Sequence, residues 1–354
     1  MSKRILVAMS GGVDSAVTAL KLLQDGYELG GITMKVWDNE RDVTDTDDGY
    51  VDQNCADARE IADALSIPHY VVSLGTSFRL NVIDRFISDY LRGATPNPCV
   101  ECNKHIKFGK LYEAALSLGY DTLATGHYAR IVNENGKYLL KRAVDEKKDQ
   151  SYFLWAINKE LLPHLCFPLG DYTKDEIRAI AKDNNISAAH RADSQDICFI
   201  SDGDYASFIK SNSEAEFSQG SFIDVNGNVI GEHSGIINYT IGQRKGLGVA
   251  FGVPMFVGEK NTESNTVMLC TDEQLYKDTL TATDVNILTD ETFEVPVRLQ
   301  AKIRYRHTPA SATVTRIDGD RLLVKFDLPQ RAIAKGQSVV LYDGDVVVGG
   351  GIIE

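Results

Sequence analysis

Nothing in the 354 residues reads as a membrane span, because no apolar run is long enough to cross a bilayer. Met1-Ser2-Lys3-Arg4 leads straight into a core strand, without the apolar segment and cleavage site a secretory leader needs. A cytoplasmic protein is the expectation. Cysteine is scarce, six in the whole chain and too few for a disulfide scaffold, so in that compartment each is a thiol, a ligand or a catalyst. No internal repeat or low-complexity linker interrupts the chain. Positive charge is in deficit, and the formal net charge of −13 argues mildly against a nucleic-acid partner. The deficit is uneven, however. Asp38 to Asp52 holds seven acidic residues against one Arg, the pattern of a solvated surface insertion. Lys302, Arg304, Arg306 and His307 form a local basic cluster. Net charge alone leaves the partner open.

What is present is a globular composition, 43% apolar, with room for roughly two or three domains. The chain is organised around Ala8-Met9-Ser10-Gly11-Gly12-Val13-Asp14-Ser15. This stretch follows the apolar run Ile5-Leu6-Val7 and precedes the helical pattern Ala16, Val17, Leu20, Leu22, Leu23. A strand feeds a tight glycine turn that opens onto a helix N-terminus, where unpaired N–H groups face any anion present. Ser10 and Ser15 add hydroxyl donors, and Asp14 is placed to accept a hydrogen bond or hold magnesium. The stretch lacks the Lys and the longer glycine spacing of the ordinary P-loop. A nucleotide site is expected here.

Strands at Leu29 to Val36, His69 to Leu74 and Tyr120 to Thr125 alternate with helical patterns at Cys55 to Leu65, Phe78 to Leu91 and Asn103 to Leu118. That alternation predicts an α/β fold, a doubly wound parallel sheet with ligands at the carboxyl ends of its strands. Met34, Gly126 and His127 fall near such ends. Tyr128 to Arg142 reads as a hairpin turning at Asn135-Gly136, followed by helical segments from about Gln150 to Asn185. Asp204 to Ser211 is another helix, and Gly220 to Glu232 a hairpin around Asn226-Gly227. From Val253 onward the chain is β-rich, with alternation at Ala312 to Ile317 and Leu322 to Phe326 that supports a small barrel or sandwich. The expected division is a catalytic domain over 1–204, a small central domain over 205–275 and a C-terminal β-barrel over 276–354.

Two cysteine contexts bear chemistry. In Thr95-Pro96-Asn97-Pro98-Cys99-Val100-Glu101-Cys102, the prolines keep the chain extended and Cys102 falls at the start of the next helix. A helix N-terminus with Lys104, His105 and Lys107 nearby stabilises thiolate, so Cys102 is expected to be nucleophilic. Cys198 sits in a polar turn just before Phe199-Ile200. Cys99-x-x-Cys102 also has the form of half a zinc site, although no second pair follows at ligand spacing. Cys99, Cys102 and Cys198 together are a possible ligand set for an iron–sulfur cluster with one open iron. Cys55, Cys166 and Cys270 lie in apolar patterns and read as core thiols.

Nearly the whole chain resembles the tRNA-specific 2-thiouridylase family, of the ATP-pyrophosphatase (PP-loop) group. The resemblance rests on Ser10 to Ser15, on Thr95 to Pro98 with Cys102 to Phe108, and on Ala124 to Tyr128. It continues through Lys148 to Phe153, Asp193 to Ile200, Thr240 to Gly248, Arg304-Tyr305-Arg306 and Gly349 to Glu354. It implies a sulfurtransferase that replaces the C2 oxygen of the wobble uridine in tRNA anticodons, with ATP and magnesium as cofactors. By resemblance, Ala8, Met9, Ser10, Gly11, Gly12, Val13, Asp14 and Ser15 bind the phosphates, while Met34 and Gly126 contact the adenosine. ATP adenylates the C2 oxygen, a persulfide on Cys198 attacks C2, and Cys102 closes a disulfide with Cys198. Asn97, Pro98 and Cys99 match the segment that touches the target base, with Cys99 standing where some relatives have Asp. His127, Lys148, Asp149, Gln150, Arg304, Tyr305 and Gln337 match positions that contact tRNA, the base leaving its stack to be reached. His127 reads equally as a structural hydrogen bond at a strand end, and Arg304 as part of a solvated strand face. The implied partners are tRNAs for Lys, Glu and Gln and a persulfide donor, a cysteine desulfurase or relay protein. An adenylating ligase of the argininosuccinate or GMP synthetase type shares the loop without needing Cys102 and Cys198. An RNA-binding protein with a regulatory nucleotide site is a further alternative.

Overall fold

The computed structural model describes residues 4–38, 52–186, 197–200, 202–248 and 252–354. Most of the acidic stretch expected as a surface insertion lies outside the described residues, as does Asp193 to Asp196.

The first strand β1 (Arg4–Ala8) runs into α1 (Val13–Gln24), then β2 (Glu28–Lys35), α2 (Gln53–Ala64) and β3 (His69–Ser73). In α1, Val13, Ala16, Val17 and Leu20 recur at helical spacing and are buried, each large aliphatic side chain contributing roughly 1.5–3 kcal/mol. Gly26, with φ of +82°, accepts the left-handed turn that ends the helix. Two composite helices follow. In the first, α3 (Gly75–Phe78) and α4 (Asp84–Leu91) flank a π-helical segment, Arg79–Ile83. In the second, α5 (Pro98–Glu101) and α6 (Leu111–Ser117) flank another, Cys102–Lys110.

The chain then enters β4 (Thr122–Ala124), the hairpin β5 (Ala129–Glu134) and β6 (Lys137–Arg142), and β7 (Leu165–Cys166). Asn135 and Gly136 both have positive φ, as a tight hairpin turn requires. The parallel sheet has the order β3-β2-β1-β4-β7, so strand order reverses beside β1. Ile5 and Val7 pack on the α1–α2 side and Leu6 on the α4–α6 side, which covers both faces. The doubly wound expectation holds. The helical reading of 150–185 holds only in part: short 3₁₀ segments and turns surround β7, and α7 (Lys174–Asp183) is the one regular helix of that span. Pro163 and Pro168 remove the backbone donors a continuous helix would need.

After α8 (Tyr205–Ser211), the strands β8 (Gly220–Ile223), β9 (Val229–His233), β10 (Phe256–Asn261) and β11 (Thr266–Cys270) make a second sheet ordered β10-β11-β8-β9. It has its own core of Phe222, Tyr239, Leu247, Val257, Val267 and Leu269. The last six strands, β12 (Tyr276–Ile287), β13 (Val297–Lys302), β14 (Ala310–Asp318), β15 (Arg321–Arg331), β16 (Ser338–Asp343) and β17 (Val346–Ile353), form the expected barrel. Pairing of β12 with β17 closes it. A strand pairing crosses the domains: Val346 of β17 pairs with Lys141 of β6, so the β5–β6 hairpin extends the barrel sheet.

Candidate active site at the carboxyl end of the parallel sheet

The glycine loop leaves β1 where strand order reverses, the usual ligand crevice of such sheets. Gly11 has φ of +72°, and a Cβ there would lie 2.8 Å from the Asp57 Cβ, so only glycine fits without displacement. Gly12 is the N-cap of α1 and offers no side-chain acceptor, which leaves first-turn N–H groups to a ligand. Ser10 is exposed. The buried Ser15 hydroxyl instead braces the loop, donating to the Gly12 carbonyl at 3.0 Å and accepting from the Ser10 N–H at 3.2 Å. Beneath the loop, Thr33 donates its hydroxyl proton to the Met9 carbonyl, so the His69 Nε2 at 2.9 Å must be the donor to Thr33. Met34 is half-buried near the end of β2, and Gly126 lies two residues beyond β4. A Cβ on Gly126 would sit 3.1 Å from the Asp14 carbonyl carbon, a close approach that glycine permits.

Asp14 is not a free carboxylate. Lys174 places its ammonium 2.7 and 2.8 Å from the two Asp14 oxygens, and the Tyr128 hydroxyl donates to Oδ1 at 2.9 Å. Sequence reasoning missed Lys174. Thr173 and Glu176 form a capping box that marks the start of α7, but nothing local pairs Lys174 with a residue 160 positions away.

Cys99, Cys102 and Cys198 are near enough to perturb one another, and Lys107 acts on all three. Cys99 and Cys198 are exposed and Cys102 is half-buried, yet protein surrounds each sulfur on most sides. Burial pushes the Cys102 thiol up to about 12, with the Lys107 charge opposing. It raises Cys99 and Cys198 as well, again against Lys107, and the neighbouring Cys99 adds to the rise at Cys198. This corrects the expectation of a helix-start thiolate at Cys102. The helix begins at Pro98, Asn97 is its N-cap, and Cys99 occupies the first turn, with Cys102 opening the π-helical segment after it. Cys55 and Cys270 are buried and Cys166 half-buried.

His127 connects the thiols to the loop. It follows Gly126, and its Nε2 lies 3.4 Å from the Lys107 ammonium. The described residues hold no group of three or more His, Cys, Asp or Glu arranged for a metal ion.

Three family profiles cover the chain: the tRNA methyl transferase HUP domain over residues 3–202, its PRC-barrel domain over 206–271, and an aminomethyltransferase beta-barrel domain over 277–353. The tRNA-specific 2-thiouridylase MnmA of Clostridioides difficile (strain 630) is 49% identical, covering 100% of this chain and 99% of the relative. That of Acetivibrio thermocellus is 46% identical, covering 99% of each. The chain belongs to the tRNA-specific 2-thiouridylase family. A solved 4-thiouridine synthetase–RNA complex with bound ATP aligns with a TM-score of 0.34 and 18% identity, over 53% of this chain and 42% of that one.

The residues expected to meet tRNA are placed unevenly. Asn97 caps the cysteine helix, accepting from the Cys99 N–H at 3.2 Å, and Pro98 is buried as its first residue. Tyr305 packs on Phe153 with ring centroids 4.5 Å apart, and Asn103, beside Cys102, donates to the Phe153 carbonyl at 3.0 Å. The Tyr305 platform therefore adjoins the cysteine helix. Lys302 lies 5.5 Å from the Tyr305 ring, and Arg304 donates to the Arg331 carbonyl at 2.9 Å. Gln150 pairs with the Tyr128 backbone through both its N–H and its side-chain oxygen. Lys148 is half-buried just before it. Asp149 is buried and turned inward, accepting from the Ala143 N–H, the Ser151 N–H and hydroxyl, and Arg142. Gln337 donates to the Thr95 carbonyl at 2.8 Å. His127 is buried, with a partner at each ring nitrogen.

Proposed function

We propose that this chain is an ATP-dependent tRNA sulfurtransferase that makes 2-thiouridine at the wobble position. One observation carries the reading: Gly126-His127 touches the glycine loop on one side and Lys107, the cation facing three thiols, on the other. A glycine loop and a thiol cluster linked through these residues support adenylation followed by sulfur transfer. Ala8 to Ser15 receive the phosphates, Met34 and Gly126 the adenosine, and magnesium arrives as the counter-ion of ATP. The profile descriptions name methyl transfer, but the full-length relatives are named for thiolation, and a trio of thiols suits sulfur relay.

The steps balance as follows. The uridine C2 oxygen attacks the α-phosphorus, pyrophosphate leaves, and a carbonyl oxygen that leaves poorly becomes AMP, which leaves well. A persulfide on Cys198, charged by a desulfurase or relay protein, attacks C2 through its outer sulfur, and AMP departs with the original oxygen. Cys102 then attacks the Cys198 sulfur, breaking the persulfide S–S bond, forming a Cys102–Cys198 disulfide and releasing 2-thiouridine, which takes up the thiol proton of Cys102 at N3. An external thiol returns two electrons to the disulfide. Asn97, Pro98 and Cys99 meet the extruded base, Tyr305 offers a stacking face, and Arg304 and Lys148 supply phosphate contacts. The substrates are the tRNAs for Lys, Glu and Gln, in the cytoplasm.

The test incubates the protein with ATP, magnesium, a sulfide source and unmodified tRNA, then digests the tRNA to nucleosides for mass spectrometry. A sulfur-for-oxygen mass shift on the wobble uridine, dependent on ATP and lost in Cys198→Ser, is expected. No shift, with ATP cleaved when an amine acceptor is added and both cysteines dispensable, would establish a ligase instead. Iron and visible absorption in anaerobically purified, active protein would replace the persulfide route with a cluster.

A further inference from the structure

Asp14 poses an electrostatic problem for a phosphate site. It is the second residue of α1, whose first-turn N–H groups face the ligand, and a carboxylate there repels a polyphosphate. Lys174 lies against it from another part of the chain. Its backbone is fixed by the Thr173–Glu176 capping box and by its own N–H, which donates to the Asp145 carboxylate at 3.0 Å. Its side chain is buried, only 5% exposed, against 33% for Asp14, and reaches both Asp14 oxygens. The Tyr128 hydroxyl holds Oδ1 from a second direction, and Gly126 packs against the Asp14 backbone. Two segments therefore converge on Asp14, the turn at 126–128 and the start of α7, and the charge that Lys174 brings to its carboxylate is positive.

We propose that Lys174 is a positioning residue for nucleotide binding: it cancels the charge of Asp14 and holds that carboxylate away from the incoming phosphates. The proposal rests on the ATP reading of the loop. A buried ammonium is weakly screened, so its effect on a neighbouring anion is larger than that of a surface lysine. Losing Lys174 harms binding through Asp14, and removing Asp14 as well relieves the harm. A lysine with a merely structural role in seating α7 predicts no such relief.

The experiment measures binding of the α,β-methylene analogue of ATP by calorimetry, on the full chain in EDTA so that no metal screens Asp14. Lys174→Met is expected to weaken binding by roughly tenfold or more, the scale of an uncompensated charge at a partly buried site. Lys174→Arg should stay close to the unaltered protein. The double variant Asp14→Asn/Lys174→Met should bind at least about threefold more tightly than Lys174→Met, because the uncompensated charge is gone. Thermal melts report whether each variant folds. If Lys174→Met does not fold, Lys174→Gln takes its place in the same comparison with its Asp14→Asn double variant. Full binding by a folded Lys174→Met, or a folded double variant as weak as the single one, overturns the proposal. Binding by the unaltered protein only when magnesium is restored would overturn the proposal, since Lys174 would then not suffice to offset Asp14, and no binding under either condition would overturn the nucleotide reading itself.

Discussion

The Lys107 ammonium stands 3.4 Å from His127 Nε2, and that contact lies between the thiols and the glycine loop. His127 Nδ1 lies 2.6 Å from the Thr125 hydroxyl, and the ring packs beside Phe108 and Phe167. Burial, reinforced by the Lys107 charge, holds the imidazole well below its ordinary range, so it is neutral at pH 7. An ammonium only donates, so Nε2 accepts and the ring proton resides on Nδ1. Lys107 and Cys102 are five residues apart on the π-helical segment Cys102–Lys110. In an α-helix that spacing would set them about 140° apart, whereas the i→i+5 register of a π-helix turns them to one face.

Lys107→Met should therefore slow alkylation of Cys102 and Cys198 at pH 8 by roughly threefold to tenfold, since a nearby cation favours thiolate. Pulse labelling with iodoacetamide and peptide mass spectrometry measures this. Equal rates in the two proteins would show that the charge does not govern the thiols.

The pH dependence has a definite sign. Burial raises Cys99, Cys102 and Cys198, Cys102 up to about 12, whereas an unfolded cysteine titrates at about 8.5. Alkylation of Cys102 should keep accelerating above pH 9 in the folded protein. The stability that comes from keeping these thiols protonated is complete below about pH 8.5 and is lost as pH rises through the folded values. An alkylation rate that levels off by pH 9 would contradict the burial.

Gln337 belongs to the barrel but holds Thr95, two residues before the Asn97 cap. The Thr95 N–H donates in turn to the Lys335 carbonyl at 2.7 Å. Gln337→Leu should lower turnover roughly threefold to tenfold by loosening the cysteine helix, a misplacement effect. Its tRNA affinity and the salt dependence of that affinity should stay near those of the unaltered protein. A direct phosphate contact would instead weaken binding and flatten the salt slope.

Asp149→Ala should destabilise the fold by about 3 kcal/mol in urea unfolding, because it strands Arg142 and three further donors around a buried position. Unchanged stability with weakened tRNA binding would return Asp149 to the RNA interface.

Much of this was legible in the chain. The turn at Ser10-Gly11-Gly12, the hairpin at Asn135-Gly136 and the alternation in β14 and β15 each depend on neighbours a few positions away. Steric and hydrogen-bond rules act at that range, so the pattern of residue types is enough. The two-residue strand β7 left no periodic trace, and the start of the cysteine helix was misread by a turn because Pro98 serves as its first residue.

The sequence by itself determined the parallel sheet, the glycine loop after its first strand and the C-terminal barrel. Only the tertiary structure decided that Lys174 answers Asp14 across 160 positions, that Gln337 holds Thr95 across 242, and that Lys107 faces three thiols raised by burial. Those outcomes depend on which surfaces exclude water and which charges meet once the chain is packed. Sequence spacing does not encode distance through a folded core, nor the desolvation that sets a thiol's charge.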